Sequence, residues 1–324
     1  MPSLKEIKGR IASVNSTRKI TSAMKMVASS KLHHAQVAIQ NMLPYEELLE
    51  HILKSFLAAE AEAQTIFDQE RPVKRAALVV MTSNSSLCGG FNANTIKMML
   101  HAVEENDKTS GRDNVEIYPI GRKVYEKAKK MGLAVQGEYS ALADKPNVQE
   151  CIEIAMELGK KFTEGQIDKV ELIYHHFKSA GSQILTRKTF LPIDVQSELN
   201  ADKERDLETV IATKESQEYL KKRGEKERSR EGEQEVKPLN DNFIVEPDMN
   251  TVLSQLLPKL AHLSLYTALL DSNASEHAAR MVAMQTATDN ADELLRELNL
   301  QYNKSRQQAI TSELLDIVGG SVNN

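Results

Sequence analysis

Both ends of this 324-residue chain carry long apolar repeats with helical spacing. A repeat of about 3.5 residues keeps an apolar seam facing one partner helix along a left-handed supercoil. Residues 1–58 are therefore predicted to form a coiled-coil arm, which Pro44 should kink or interrupt because its ring removes a backbone donor. The frame runs through Leu4, Ile7, Ile11, Val14, Arg18, Thr21, Lys25, Ala28, Leu32, Ala35, Ile39, Met42, Leu49, Leu53 and Phe56.

A second arm is predicted at the other end, over residues 248–320. At 1.5 Å per residue its helix would be roughly 100 Å long, far longer than a small core needs. Its seam of small residues buries little area, so it requires a partner, and the first arm is the obvious one. Gly319-Gly320 should end the helix. One frame runs through Leu270, Ala274, His277, Met281, Met284, Thr288, Ala291, Leu295, Leu298, Tyr302, Ser305 and Ala309.

The middle of the chain, residues 74–195, has a different pattern, with short apolar strands alternating with helices. Alternation of this kind predicts parallel βαβ units, closed here by a hairpin around residues 179–182. Strands are predicted at 76–82, 115–120, 133–138, 169–177 and 183–191, and helices at 94–105, 122–131 and 148–162. This is an α/β domain of about 120 residues.

Charge is unevenly distributed along the chain. The net charge is −5, yet residues 1–40 carry seven basic side chains and one acidic one. Such a run is usually a solvated helix face, but it also suits contact with an acidic protein surface. Nucleic acid is not expected, because no aromatic side chains are interleaved for base stacking. Residues 196–240 contain 22 charged residues in 45 and are predicted to form a surface insertion, partly helical and partly disordered.

The loop around Cys88 is the one candidate catalytic motif. SNSSLCGGFN lies between a predicted strand and a predicted helix, where a phosphate or a nucleophile is often held. It lacks the Lys-Ser/Thr of a phosphate loop and the third glycine of a dinucleotide fingerprint. A nucleophilic Cys88 would also need a His and a carboxylate nearby, and His175-His176 lie on a later strand. A structural turn is therefore preferred, and no metal site or cofactor is predicted.

Two cysteines indicate a reducing compartment, and no apolar run reaches the length of a membrane span. The N-terminus has no signal-peptide pattern.

In the first arm, Ile20, Met24 and Val27 form a second apolar stripe where the seam turns polar. An arm with two stripes should have more than one neighbour.

Three motifs resemble the γ-subunit family of F-type ATP synthases. They are IKGRIASVNSTRKITSAMKMVASSKL, SLCGGFN and ASEHAARMVAMQTATDNADELLRELNLQYNKSRQQAITSELLDIVGG, and the resemblance covers the chain except the charged insertion. It implies an α/β fold class in which the terminal helices form a long antiparallel coiled coil beside a central Rossmann-like α/β domain. That domain is expected to be non-catalytic, since the family's catalytic sites lie on other subunits.

The resemblance also implies partners and contact residues. The expected function is that of the central-stalk rotor, which couples rotation of a c-ring, driven by proton flow, to conformational changes at the catalytic sites. Expected partners are three α subunits, three β subunits, the ε subunit and the c-ring, without insertion into the membrane. Met24 and Lys25 match the position that meets an acidic lever segment of β. Arg280, Arg306 and Gln307 match positions that engage a loop of the catalytic ring.

This chain departs from the family pattern at two places. Asn84, Ser85 and Ser86 stand where the family usually has charged residues before its glycine loop. The insertion falls where photosynthetic relatives carry a regulatory segment, but it contains no cysteine. The expected location is the cytoplasmic face of a bacterial inner membrane. The competing hypotheses are a nucleotide- or thiol-dependent enzyme that uses the Cys88 loop, and a generic coiled-coil scaffold.

Overall fold

The computed structural model describes residues 3–59, 67, 71–111, 114–193, 246 and 249–322. The chain divides into two compact units, which we call the arm unit (residues 1–28 and 280–324) and the body unit (residues 29–279). The predicted insertion over residues 196–240 lies outside the described residues. In chain order the elements are α1 (Leu4–Ala59), β1 (Ala76–Met81), α2 (Phe91–Ser110), β2 (Val115–Ile120), α3 (Arg122–Lys130), β3 (Ala134–Val135), α4 (Ser140–Asp144), α5 (Val148–Thr163), β4 (Lys169–Ser179), β5 (Ser182–Leu191) and α6 (Met249–Val322).

Two long helices, α1 and α6, begin and end the described chain, as the apolar repeats predict. Several seam positions of α1 are buried, including Ile7, Ala28, Leu32 and Ile39 at 2% exposure or less. Pro44 lies inside α1, so it does not end the helix.

The predicted end of α6 at Gly319-Gly320 is wrong, because the helix continues to Val322. A glycine ends a helix only when the chain adopts a left-handed conformation there, and within a helix it costs about 1 kcal/mol relative to alanine.

The body unit contains a five-stranded sheet in the order β3-β2-β1-β4-β5. The first four strands are parallel and β5 is antiparallel to β4, as predicted. Strand β1 is the centre of the sheet, and all six of its residues are buried, because helices cover both of its faces. In its pairing with β4, Ala76 lies opposite Lys169 and Val80 lies opposite Ile173. Beyond Ile173, β4 continues without β1 beside it.

Two apolar cores lie on the two faces of this sheet. One face packs against α2 and α3, through buried residues such as Leu78, Val80 and Met99. The other packs against α5 and residues 257–269 of α6, with Val79, Tyr118 and Phe162 among its buried members. Residues 257–269 of α6 are thus part of the body unit's own core.

Strand β3 is shorter than predicted. The sequence suggests a strand over residues 133–138, but regular pairing is limited to Ala134–Val135. After one more hydrogen bond, from Gln136 N to Ile117 O, the chain turns at Gly137, where φ is +70°. The following residues form the short helix α4, which the apolar pattern did not predict.

Candidate functional site

All five predicted contact residues lie in the arm unit. Met24 and Lys25 are on α1, and Arg280, Arg306 and Gln307 are on α6. The apolar seam holds the two helices together: Ile7, Ala28, Met281, Met284 and Ala291 are all buried to 5% exposure or less. These five residues are therefore presented by a pair of packed helices rather than by a loop.

Two side-chain contacts define how the helices pair in the arm unit. The hydroxyls of Thr21 and Thr288 are 2.8 Å apart, and Arg18 Nη1 donates to Asp292 Oδ1 at 3.2 Å. The residue number falls on α1 as it rises on α6, so the helices are antiparallel here. The polar part of the predicted seam is thus paired across the coil, which explains why Arg18 and Thr21 occupy apolar positions of the repeat.

The second stripe of α1 is exposed. Ile20 is 60% exposed, Val27 58% and Met26 66%. Met24 and Lys25, between them, are half-buried. Ile20, Met24 and Val27 lie on one face of α1 next to Lys25, whereas Met26 lies on another face. Exposed apolar side chains such as Ile20 and Val27 beside a basic residue are typical of a surface that another protein covers.

The end of α6 carries a second exposed apolar group. Leu300, Ile310, Leu314 and Leu315 are between 48% and 71% exposed. The register set by Thr21 and Thr288 brings the first turn of α1 level with about residue 305 of α6. Beyond that point the described part of α1 offers no further surface, and residues 310–315 are all exposed.

Arg306 and Gln307 lie at this boundary and are exposed, whereas Arg280 is half-buried and engaged within the protein. The structure thus places Arg306 and Gln307 beside the exposed apolar group and Arg280 on another part of α6. The exposed leucines and Ile310 were not predicted from the sequence. They could have been found as apolar residues of the C-terminal helix that fall outside its predicted seam.

Around Cys88 the loop in the body unit is held by hydrogen bonds between neutral groups. Cys88 is 1% exposed, and its Sγ accepts from Asn92 Nδ2 at 3.1 Å. Ser83 Oγ lies 3.7 Å from the same sulfur and donates to Ser85 O. Cys88 is therefore held by serine and asparagine, and its described hydrogen-bond partners include no histidine or carboxylate.

Asn84 occupies the first of the positions where the family usually has charged residues. Its Nδ2 donates to Ser140 O and to Asp144 Oδ2, each at 2.7 Å, and its Oδ1 accepts from Arg122 N at 2.8 Å. An amide can donate and accept at once, so Asn84 joins the loop to both α3 and α4.

His175 and His176 lie on opposite sides of β4. His175 is 4% exposed, stacks on Phe91 with ring centroids 4.4 Å apart, and lies 3.3 Å from Thr95 Oγ1. Burial lowers the pKa of His175 to about 4. His176 instead lies 2.7 Å from the Asp271 carboxylate. Both rings therefore contact other elements of the body unit, because helices cover both faces of this strand.

Neither a metal cluster nor a membrane span is found in the described part of the chain. No group of three or more His, Cys, Asp or Glu side chains that could hold an ion occurs there. No described helix is long and apolar enough to cross a membrane.

Comparison with known proteins decides the family. The family model described as ATP synthase matches residues 3–322. A protein of Phocaeicola vulgatus named ATP synthase gamma chain is 52% identical over 322 residues, which cover 99% of this chain and all of the relative. The chain belongs to the ATP synthase gamma-chain family. The family expected from the three motifs is therefore confirmed. A gamma chain of Flavobacterium johnsoniae is 39% identical over 99% of this chain and 98% of its own length.

Solved structures support the gamma-chain fold. The rotor of the Euglena gracilis mitochondrial ATP synthase matches 95% of this chain and 98% of its own chain, with a TM-score of 0.58 at 18% identity. A chain from the central stalk and c-ring of the Tetrahymena thermophila enzyme matches 83% of this chain and 99% of its own, with a TM-score of 0.53 at 24% identity. The predicted combination of long terminal helices with a central α/β domain is confirmed.

Proposed function

We propose that this gamma chain is the central-stalk rotor of a bacterial ATP synthase. It couples proton-driven rotation of a c-ring to the conformational cycle of catalytic sites on the β subunits, and hydrolysis of ATP drives it in reverse. The observation that carries the proposal is the match to bacterial gamma chains over 99% of its length. Its partners are three α and three β subunits, ε and the c-ring.

The arm unit supports this role physically. It combines a paired helical seam with two exposed apolar groups, one on each helix. An asymmetric shaft with such surfaces contacts each of three surrounding subunits differently at any one angle. Each angle thus stabilises a different conformation, and hence a different nucleotide affinity, at each catalytic site.

Within the arm unit, the residues proposed to touch the ring are Met24, Lys25, Arg280, Arg306 and Gln307. Lys25 lies beside the exposed stripe of α1 and belongs to the basic segment over residues 1–40, which suits an acidic lever on β. Arg306 and Gln307 are exposed next to the apolar end of α6, where a loop of the ring can reach them. Arg280, which is half-buried, would contact the ring from its exposed part.

The chain itself is proposed to be non-catalytic. Cys88 is buried and accepts a hydrogen bond from Asn92, an arrangement that stabilises a turn rather than activating a thiol. We further propose that the chain sits on the cytoplasmic face of the inner membrane through its partners. The four-part division into residues 1–58, 74–195, 196–240 and 248–320 is proposed as its functional organisation.

The test is reconstitution. Purified α and β subunits from the same organism are mixed with and without this chain, separated by gel filtration and assayed for ATP hydrolysis. The chain should enter a complex of three α and three β subunits and change the steady hydrolysis rate. The proposal would be overturned if the chain eluted alone and the rate of ATP hydrolysis were the same with and without it.

A further inference from the structure

Within the body unit, α6 contains an unusual run of buried polar residues. Between residues 267 and 277 seven polar or charged side chains are 9% exposed or less: Thr267, Asp271, Ser272, Asn273, Ser275, Glu276 and His277. Burying a polar group is unfavourable unless it is hydrogen-bonded. Within the described part of the chain, the side chains of Asp271, Asn273 and Ser275 form hydrogen bonds to other elements of the body unit.

Two of these contacts lie on one face of α6. Asp271 Oδ2 is 2.7 Å from His176 Nδ1, and Ser275 Oγ donates to the carbonyl oxygen of His175 at 3.2 Å. Residues four apart share a helix face, so Asp271 and Ser275 reach the same strand together. They reach it where β4 has continued past Ile173, its last residue paired with β1. A side chain of α6 therefore bonds a β4 carbonyl in the part of the strand that β1 does not reach.

The third contact lies on the other side of the helix. Asn273 Nδ2 donates to the carbonyl oxygen of Ala143, in α4, at 2.8 Å. Successive helical residues are about 100° apart, so Asn273 points roughly 160° away from both Asp271 and Ser275. Helix α6 therefore forms directional hydrogen bonds on two nearly opposite sides.

We propose that Asp271, Asn273 and Ser275 form a rotational lock, which fixes the angle of α6 about its own axis within the body unit. The inference rests on the proposed rotor function, since a shaft must pass torque between its two units without slipping. Helix α6 contributes residues to both units, so a body unit that allows it to turn in place would lose that torque.

Hydrogen bonds suit this task better than apolar packing alone. Apolar contact is non-directional, and packed helices can shift by small rotations or by a full turn with little change in buried area. Turning α6 in place would separate three buried polar side chains from their partners on two sides at once. Each group left unsatisfied costs its full desolvation penalty, so the lock resists rotation in either direction.

The test uses a closely matched control within the same unit. Asn273 and Asn106 are 9% and 8% exposed, and each donates from Nδ2 to a main-chain carbonyl at 2.8 Å. Asn106 bonds to Ala102 within α2, whereas Asn273 bonds between α6 and α4. Asn106→Ala therefore removes the same kind of bond without touching the lock.

The assembled ATP synthase with its c-ring, in sealed vesicles, is compared for wild type, Asn273→Ala/Ser275→Ala and Asn106→Ala. The lock predicts that the double variant hydrolyses ATP but pumps about half as many protons per ATP, or fewer, whereas Asn106→Ala matches wild type. Equal pumping by all three complexes, or an equal loss in both variants, would overturn it. Asp271→Asn, which keeps an oxygen facing His176, should retain more coupling than Asp271→Ala.

A second measurement separates this inference from the proposed function. Hydrogen exchange of the amides in residues 265–279 should be faster in the double variant than in Asn106→Ala. If the wild-type complex does not pump protons, the rotor proposal fails, and hydrogen exchange still tests the lock. Equal exchange in the two variants would mean that Asp271, Asn273 and Ser275 do not hold α6 in place, whatever the chain does.

Discussion

Met24 lies between two exposed apolar residues of α1, next to Lys25, so it is the residue where added charge should matter most. If this surface meets an acidic lever of β, Met24→Lys adds an ionic contact that favours one angle of the rotor over the others. We expect protons pumped per ATP hydrolysed to fall by about twofold in vesicles. Met24→Leu, which preserves volume and charge, should behave like wild type. Normal coupling in Met24→Lys would argue against this contact.

Gly121 follows β2 with φ at +106°, and a Cβ there would overlap the carbonyl oxygen of Thr82. Alanine would combine an unfavourable backbone conformation with a steric clash against main chain. Gly121→Ala should lower the free energy of unfolding by roughly 3 kcal/mol, measured by urea denaturation of the purified chain. At Gly132, where φ is +69° and no atom lies within 4 Å, alanine should cost only about 1 kcal/mol. Equal losses would show that the clash with Thr82 is relieved by small shifts.

His175 should make the stability of the body unit depend on pH. Burial lowers its pKa to about 4 in the folded protein, from 6.5 in the unfolded chain. Between these values the unfolded chain binds a proton that the folded protein does not, so stability is full above pH 6.5 and falls as the pH drops toward 4. The loss attributable to His175 is roughly 3 kcal/mol. Urea unfolding at pH 7 and pH 4.5 should show a smaller difference in His175→Gln than in wild type, whereas an equal difference would assign the effect to other groups.

At the level of residues, the sequence predicted which side chains of α1 are exposed better than it predicted the polar contacts of the interior. The exposed positions of Ile20 and Val27 follow from their place outside the seam of α1. The lock residue Asn273 could not be predicted, because its partner Ala143 is 130 positions away and belongs to α4, which has no apolar pattern. Contacts of this kind depend on tertiary packing rather than on local spacing.

Gly9 offers a test of how much the stability of α1 limits the arm unit. It lies in the second turn of the helix, and no atom would meet an added Cβ within 4 Å. Gly9→Ala should therefore raise the free energy of unfolding by about 0.5–1 kcal/mol, because alanine loses less backbone entropy on folding. Circular dichroism during thermal unfolding would measure it. An unchanged or lowered unfolding temperature would mean that the first turns of α1 do not take part in the cooperative unfolding transition.

At the level of elements, strong apolar periodicity predicted the helices and strands well, whereas single prolines and glycines did not predict where helices end. The seams predicted both long helices, and alternation predicted the parallel sheet with its final hairpin. Gly319 and Gly320 were expected to end α6, yet both lie within it, and Pro44, expected to kink or interrupt α1, lies inside that helix without ending it. A helix that is packed on both sides of a proline, as α1 is at Ile39 and Leu49, can absorb the local cost of that residue. The predicted length of β3 was wrong because a glycine does redirect the chain there: the strand has two paired residues, and the chain turns at Gly137.

For the whole molecule, the two-unit division gives each part a separate physical task. The arm unit presents exposed apolar and charged side chains, whereas the described part of the body unit contains two buried apolar cores. A helix that belongs to both units must be held firmly in one and remain able to contact partners in the other. Composition and periodicity predicted the coiled-coil arms and the α/β domain, but only the contacts of specific side chains show where α6 is held.

The predicted insertion over residues 196–240 lies outside the described residues. With 22 charged residues in 45 it has little to bury, so its effect on the enzyme should come from bulk or charge rather than from packing. We propose that it slows ATP hydrolysis as a steric or electrostatic brake. Deletion of residues 200–235 should then raise the hydrolysis rate of the assembled complex. An uncharged Gly-Ser segment of equal length separates the two causes: it keeps a steric brake and removes an electrostatic one. Unchanged rates for both variants across several ATP concentrations would show that the segment does not regulate hydrolysis.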